Sequence, residues 1–397
     1  MSHKILYLSR IYPNNIVAVN GLWVEGMVTA MSKLHEVRVV SPVPYCPPLP
    51  ESTGYANNRK ILSRSKVNGV EVYRPRFLSP PGYILHSYLG ELLYWSIVWK
   101  IDRYRKEFPF ELIHAHFSYP EGYVAARLAR RYNIPLIITE HATWKPWMDD
   151  YPRVAKQAVF AAGVSHGMIA ASRYLADTMA AFTGEPKKLH DIPIGVNTAL
   201  FKPDATVKKV PRQILYVGRI HKTKGVDILF NALSLLLKTH SDIHLIVIGG
   251  NLGFKNYQKQ ENEMRALATR LNINSSIEFV GMQPPETVVK YMQQSALLVL
   301  PSRRETFGAV LIEAIASGTP VVATRCGGPD DFVTDSVGAL VDKENSQALA
   351  DGIEKVMLNL NDYPADILHK YADEGFSWDS VARRTNQLYD AALSTGE

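Results

Sequence analysis

Residues 296–318 read Ala-Leu-Leu-Val-Leu-Pro-Ser-Arg-Arg-Glu-Thr-Phe-Gly-Ala-Val-Leu-Ile-Glu-Ala-Ile-Ala-Ser-Gly. An apolar run ends at Leu300, and a stretch with helical character begins past Gly308, which is the pattern of a buried strand feeding a helix. Glu305 then falls at the carboxyl end of the strand. Glu313 lies about two turns into the helix, at a rise of about 1.5 Å per residue. Gly308 leaves the first helical amides open to a ligand, and those amides with the helix dipole favour a negative group. Carboxylates on either side of a bound phosphate would accept hydrogen bonds from hydroxyls, which describes a nucleotide sugar. Two glutamates alone are more commonly a solvated helix face, so the reading depends on their neighbours.

Working outward, short apolar β-branched runs alternate with helical patterns along the whole chain, which argues for parallel sheets built from crossover units. Expected strands in the first half are Ile5 to Leu8, Val37 to Val40, Val70 to Tyr73, Leu112 to Ala115, Leu136 to Thr139, Met168 to Ala171 and Asp191 to Ile194. The second half continues with Ile214 to Val217, Leu245 to Ile248, Ile277 to Val280, Leu297 to Leu300, Val321 to Ala323 and Ala339 to Val341. Two doubly wound domains follow, which suits a chain of 397 residues. The turn residues of Ile194 to Asn197 and the run Phe201 to Asp204 mark the expected hinge. Ser41 to Pro50, with five prolines, reads as an irregular loop. In open parallel sheets ligands bind beyond the carboxyl ends of the strands, so two facing sheets are expected to line one cleft.

Composition is that of a globular enzyme, 46% hydrophobic and 21% charged. No stretch approaches the roughly 18 to 20 apolar residues that span a bilayer, and the amino terminus reads as a strand rather than a leader, so the expectation is cytoplasmic. Cys46 and Cys326 lack a second thiol or histidine at metal spacing and are expected to be bystanders. Residues 1 to 197 carry 23 basic and 15 acidic side chains, a net of +8, whereas the remainder carries 21 and 23, a net of −2. Such an excess suits solubility, an anionic lipid surface or a phosphorylated acceptor.

Val217-Gly218-Arg219-Ile220-His221-Lys222-Thr223-Lys224-Gly225 follows one expected strand, and there Arg219 and Lys224 can converge on a diphosphate. Gly21 precedes a helix after the first strand and can let amides approach a phosphate. His116 and His141 both stand at strand ends, where a histidine can touch a sugar hydroxyl or take a proton, and a packing role is equally open. Gly163-Val164-Ser165-His166-Gly167 satisfies the spacing of a nucleophile elbow, but a helix precedes the serine and a strand follows it, the reverse of what the elbow needs. Asp149 and Asp150 lack a third ligand for a metal. There is no P-loop, and Gly249-Gly250 does not complete a dinucleotide fingerprint.

Val217-Gly218-Arg219, Lys224-Gly225, Pro301-Ser302, Glu305 with Phe307-Gly308, Glu313-Ala314, Gly318-Thr319-Pro320-Val321-Val322-Ala323 and Gly327-Gly328, in that order, make the chain resemble glycosyltransferase family 4. Tyr12-Pro13, Gly21-Leu22-Trp23-Val24 and His114-Ala115-His116-Phe117 extend the resemblance more loosely over the first half. It implies an α/β chain of the GT-B fold, two Rossmann-like domains facing across a cleft, with retaining chemistry. The acceptor-side domain would be 1–197, with a carboxy-terminal helix of about 377–397 packed back on it, and the donor domain 198–376.

The resemblance further implies that Arg219 and Lys224 bind the donor diphosphate, completed by Gly21, and that Glu313 holds the ribose. Glu305, Thr306, Phe307 and Gly308 would contact the transferred sugar, Gly281 and Met282 would lie beside the base, and His116 would stand near the reaction centre. His116, Arg219, Lys224 and Glu305 are the implied catalytic set, with no metal and no further cofactor. Where the family's hinge reads Pro-Asn-Gly-Val-Asp, this chain has Pro193-Ile194-Gly195-Val196-Asn197. The expected activity is transfer of a sugar from a nucleotide diphosphate sugar to a polysaccharide, lipopolysaccharide or lipid-linked acceptor of the cell envelope. No nucleic-acid partner is expected. An epimerase or phosphorylase on the same fold and a catalytically silent sugar-nucleotide sensor are the alternatives. Tyr83 to Phe108 reads as a helix of aromatic, apolar and basic character that can lie on an anionic membrane or pack into the core.

Overall fold

The structure is a computed structural model and describes residues 2–47, 55–79, 85–142, 150–250 and 255–394. The chain divides into two compact units, Met1–Pro193 with Val381–Glu397, and Ile194–Ser380.

The amino-terminal unit contains β1 (Lys4–Leu8), β2 (Glu36–Val40), β3 (Val43–Pro44), β4 (Arg64–Val67), β5 (Val70–Tyr73), β6 (Arg76–Phe77), β7 (Leu112–His116), β8 (Leu136–Glu140), β9 (Gly167–Ala170) and β10 (Leu189–Asp191). Eight of them form one sheet in the order β10-β9-β8-β7-β1-β2-β5-β4, and β3 pairs with β6. Every pairing in the large sheet is parallel except that of β4 with β5. Parallel strands are covered on both faces and therefore read as apolar runs; Ile5 to Leu8 are at most 1% exposed. β4 is Arg-Ser-Lys-Val at the sheet's edge, where charged side chains discourage pairing with a further strand.

The carboxy-terminal unit has β11 (Val210–Val217), β12 (His244–Ile248), β13 (Ile277–Gly281), β14 (Ser295–Leu300), β15 (Val321–Thr324) and β16 (Gly338–Val341). They are ordered β13-β12-β11-β14-β15-β16 and are all parallel. In both sheets the winding reverses beside the first strand, between β1 and β7 and between β11 and β14. A reversal leaves the two loops leaving those strands to turn away from each other, opening a crevice at the strand ends.

Several details differ from the sequence reading. β10 ends at Asp191 instead of running to Ile194, because its register aligns Leu189 to Asp191 with Met168 to Ala170 and Pro193 has no amide to continue the ladder. β9 begins one residue early. The proline-rich run 41–50 includes β3, and its residues 48–50 lie outside the described residues. The helix expected from Tyr83 starts at Leu89 after a 3-10 turn over His86–Tyr88, and Tyr83 itself lies outside the described residues. In the expected hinge, Val196 bridges Ser377, and a side chain on Gly195 would come within 2.3 Å of the Trp378 ring.

Candidate functional site

In the carboxy-terminal unit, the loop leaving β11 is held from below. Tyr216 is fully buried and its hydroxyl donates to the Arg219 carbonyl at 2.8 Å, which fixes where the exposed guanidinium starts. Lys222–Lys224 form a 3-10 turn whose amide at Thr223 donates to the His221 ring. Gly225 then sits in the left-handed region at φ 65°, and a β-carbon there would lie 1.9 Å from the Pro301 carbonyl oxygen. Only glycine permits that approach, and it brings the loop after β11 against the loop after β14.

Arg303 ties the same two loops together. Its guanidinium donates to both Asp227 carboxylate oxygens at 2.8 and 2.7 Å, to Glu344 at 2.9 Å and to the Lys222 carbonyl at 2.7 Å. The planar fork of arginine suits such a multidentate role and lysine cannot reproduce it. Arg303→Lys is therefore expected to cost about 1 to 3 kcal/mol of stability, because lysine keeps only part of this set and leaves part-buried acceptors unpaired. Urea denaturation checks it; an unchanged midpoint would show that the loops hold without the fork.

Glu305 is where the loops meet. One carboxylate oxygen pairs closely with the Lys224 ammonium, and Ser302 donates to the same oxygen at 3.4 Å. Its backbone bridges Gly327, with the Gly328 amide donating to the Glu305 carbonyl at 2.8 Å, and the Asp330 carboxylate accepts from the amides of Cys326 and Gly327. The His221 pKa is lowered first by burial and then by Arg219 and Lys224, so the three cationic or basic groups lie within electrostatic reach of one another. Gly308 caps the helix Ala309–Ala316 in the left-handed conformation without a side-chain cap. Phe307 is buried against Phe332, and Thr306 beside it is half-buried. Glu313 lies in that helix, and burial pushes its carboxyl up to about 7, so it holds a proton readily near neutrality. Gly281 ends β13 and exposed Met282 follows it, on the same edge of this sheet.

In the amino-terminal unit, Gly21 (φ 73°) starts the helix Leu22–Met31, and a β-carbon on it would meet the Ile11 carbonyl at 2.5 Å. Its structural necessity is thus packing against residue 11, whatever else it does. At the ends of β7 and β8 three imidazoles stack: His114 on His116 at 4.9 Å between centroids, and His116 on His141 at 5.1 Å. His116 Nδ1 and His141 Nε2 share a hydrogen bond of 2.8 Å, while His116 Nε2 and His141 Nδ1 are buried atoms without a partner. His114 is anchored by Thr139 and by Tyr389, whose hydroxyl also bonds Tyr7. Burial holds all three rings below their usual range, His114 and His141 to about 3. His116 has no exposed surface, and the His141 ring is closed off as well, one nitrogen being bonded to His116 and the other buried. Glu140 fixes this corner by accepting from the amides of Ser118, His141 and Ala142.

Ser165 and Asp150 belong to neither cluster. Ser165 closes a helix, its hydroxyl donating to the Ala162 carbonyl at 2.8 Å, and a strand follows, so it is no nucleophile elbow. Asp150 is exposed, and Asp149 lies outside the described residues. Cys46 and Cys326 are free and buried. Among the described residues no group of three or more His, Cys, Asp or Glu side chains gathers as for a metal, and no helix is long and apolar enough to cross a membrane. Residue spacing does not single out Arg303, whose partners Asp227, Glu344 and the Lys222 carbonyl come from distant segments, nor Tyr216 and Asp330, whose bonds to backbone groups three or four residues away carry no side-chain pattern.

Residues 23–200 match the family described as Glycosyltransferase Family 4, and residues 199–372 match glycosyl transferases group 1. A D-inositol 3-phosphate glycosyltransferase 1 of Catenulispora acidiphila is 30% identical over 312 residues, covering 72% of this chain and 73% of that protein. A putative teichuronic acid biosynthesis glycosyltransferase, TuaC, of Bacillus subtilis is 26% identical over 374 residues, covering 89% and 88%. Among solved structures, sucrose-phosphate synthase from Thermosynechococcus elongatus superposes with a TM-score of 0.77 at 20% identity, over 99% of this chain and all of that one. Anabaena HepE in complex with UDP-glucose does so at 0.72 and 19% identity, over 98% of this chain and all of that one. With these matches across both units, the chain belongs to glycosyltransferase family 4 and is a glycosyltransferase of the GT-B fold.

Proposed function

We propose that the carboxy-terminal unit binds a nucleotide diphosphate sugar and that the enzyme transfers the sugar, with retention of anomeric configuration, to a cell-envelope glycan or lipid-linked acceptor. The observation that carries this is the meeting of Lys224 and Glu305, with Arg219 alongside, at the winding reversal of the second sheet and next to the uncapped helix at Gly308. In this reading the diphosphate displaces the Lys224 ammonium from Glu305. Arg219 and Lys224 then balance the charge that grows on the leaving diphosphate, the part a divalent ion takes in other enzymes. Glu305, freed from its cation, orients the sugar; Glu313 accepts from the ribose hydroxyls; Gly281 and Met282 border the base. UDP-glucose bound to HepE supports a nucleotide-sugar donor, and the names of TuaC and the inositol-phosphate enzymes support a hydroxylic acceptor.

A panel of nucleotide sugars scored by thermal stabilisation and donor hydrolysis, followed by NMR of the product's anomeric centre, tests the proposal. One donor class should raise the melting temperature and give a product of unchanged configuration; an inverted linkage is incompatible with it.

The enzyme is further proposed to act at the cytoplasmic face of a membrane. The helix Leu89–Glu107 buries Leu93, Ile97 and Ile101 and turns Trp95 and Trp99 outward at 61% and 72% exposure. Arg127 lies 5.0 Å over Trp95, and Arg131 lies 5.8 Å from Trp99. Aromatic rings rimmed by arginine suit an anionic lipid interface. Sedimentation with anionic vesicles at low salt should carry the protein down and should fail for W95A/W99A; equal binding of the two proteins would remove this contact.

A further inference from the structure

The segment 14–23, which leaves β1, is unusual for a surface loop: Ile16, Val17, Val19, Leu22 and Trp23 are each between 38% and 62% exposed. Isolated exposed apolar residues are ordinary, but five within eight positions form a patch. The loop carrying the first three, ahead of the helix that carries Leu22 and Trp23, is also built to stay put. The Asn14 carboxamide accepts from the amides of Ile16 and Val17 at 2.9 Å each. Asn15 donates to the Lys60 carbonyl at 2.9 Å and accepts from the Leu62 amide at 3.0 Å, which brings exposed Leu62 to the same rim. Just before it, the Pro13 carbonyl accepts from Arg74 at 2.6 Å. Arg74 is 1% exposed, and among the described residues its partners are that carbonyl and the Ser65 hydroxyl instead of a carboxylate. A buried guanidinium without a counter-charge is costly to keep. Here it fixes the start of an apolar loop that faces outward.

The patch also adjoins the histidine corner, since the Trp23 ring lies 6.2 Å from His141. We infer that residues 16–23 with Leu62 form a subsite for the apolar part of an amphiphilic acceptor, a sugar or hydroxyl headgroup carried on a hydrocarbon chain. This rests on the glycosyltransferase reading and narrows its acceptor. A preformed apolar rim loses little conformational freedom on binding, so it adds affinity for a chain that a soluble sugar cannot use. It also places the headgroup beside His141.

The test uses the full chain and a nonionic alkyl glycoside bearing a diazirine in its alkyl chain, below its micellar concentration, with labelled peptides mapped by mass spectrometry. Labelling is expected on residues 14–23 and 60–62, competed by an unlabelled alkyl glycoside and not by the free sugar. I16S/V19S should reduce it about fivefold without moving the melting temperature, because both side chains are exposed. Labelling confined to Trp95 and Trp99 would assign the chain to a bilayer contact and overturn the subsite. So would labelling indifferent to the double substitution, or an I16S/V19S protein whose stability or oligomeric state changes, which would mean that protein covers the patch. Nucleotide-sugar stabilisation measured on the same samples separates the two readings: its absence in the wild type counts against the donor site alone.

Discussion

Lys224→Ala is expected to cut turnover by about a hundredfold or more, the scale on which removal of one preorganised charge-stabilising donor acts, with the fold retained. The reason lies in the free enzyme. The ammonium is already held at the site by Glu305, with 18% and 13% of the two side chains exposed, so no reorganisation is needed beyond exchanging a carboxylate for a diphosphate. Alanine leaves the Glu305 carboxylate shielded from water with, among the described residues, only the Ser302 hydroxyl at 3.4 Å as its side-chain donor. A modest loss of stability follows, and K224A/E305Q should recover it without recovering turnover. That split between chemical denaturation and steady-state rates distinguishes a catalytic cation from a structural ion pair. Turnover within a few-fold of wild type would sink the clamp.

The second large effect is acid lability of the amino-terminal unit. Burial holds His114 at about 3 and His116 well below its usual value, whereas an unfolded histidine titrates near 6.5. The folded values are depressed, so the unfolded chain binds more protons as the pH falls. The contribution is therefore fully present above about pH 6.5 and is lost downward toward pH 3. His114 alone costs roughly 2 kcal/mol between pH 6.5 and pH 5, at about 1.4 kcal/mol per unit, and His116 acts in the same direction. His141, which burial also holds to about 3, acts in the same sense. Urea midpoints should fall across this range, and the slope should shrink in His114→Gln even though that variant is less stable overall. A flat profile from pH 7 to pH 5 would contradict the burial of the stack.

The parallel sheets were readable because strands covered on both faces must be apolar; Leu112 to Ala115 and Ala296 to Leu300 leave little alternative. β4 was not readable, since Arg64, Ser65 and Lys66 at an edge need no hydrophobic partner. Within the site, Arg219, Lys224, Glu305 and Glu313 stand out by residue type and spacing at strand ends. Arg303 did not stand out from its neighbour Arg304, because only the fold shows that Asp227, Glu344 and the Lys222 carbonyl surround one guanidinium and not the other. His116 was the histidine the sequence favoured. The fold adds that its ring is buried and hydrogen-bonded to His141, and no spacing along the chain reveals that two rings at adjacent strand ends meet.

From the chain alone came the alternation of strands and helices, the two doubly wound units, and the cations and carboxylates at the strand ends, because apolar periodicity and residue chemistry are local properties. The tertiary structure decided which of those groups meet. Gly225 against the Pro301 carbonyl, Lys224 on Glu305, the imidazole stack, and Arg74 holding out an apolar loop all join residues distant in sequence, and such contacts depend on how the sheets wind rather than on any one segment.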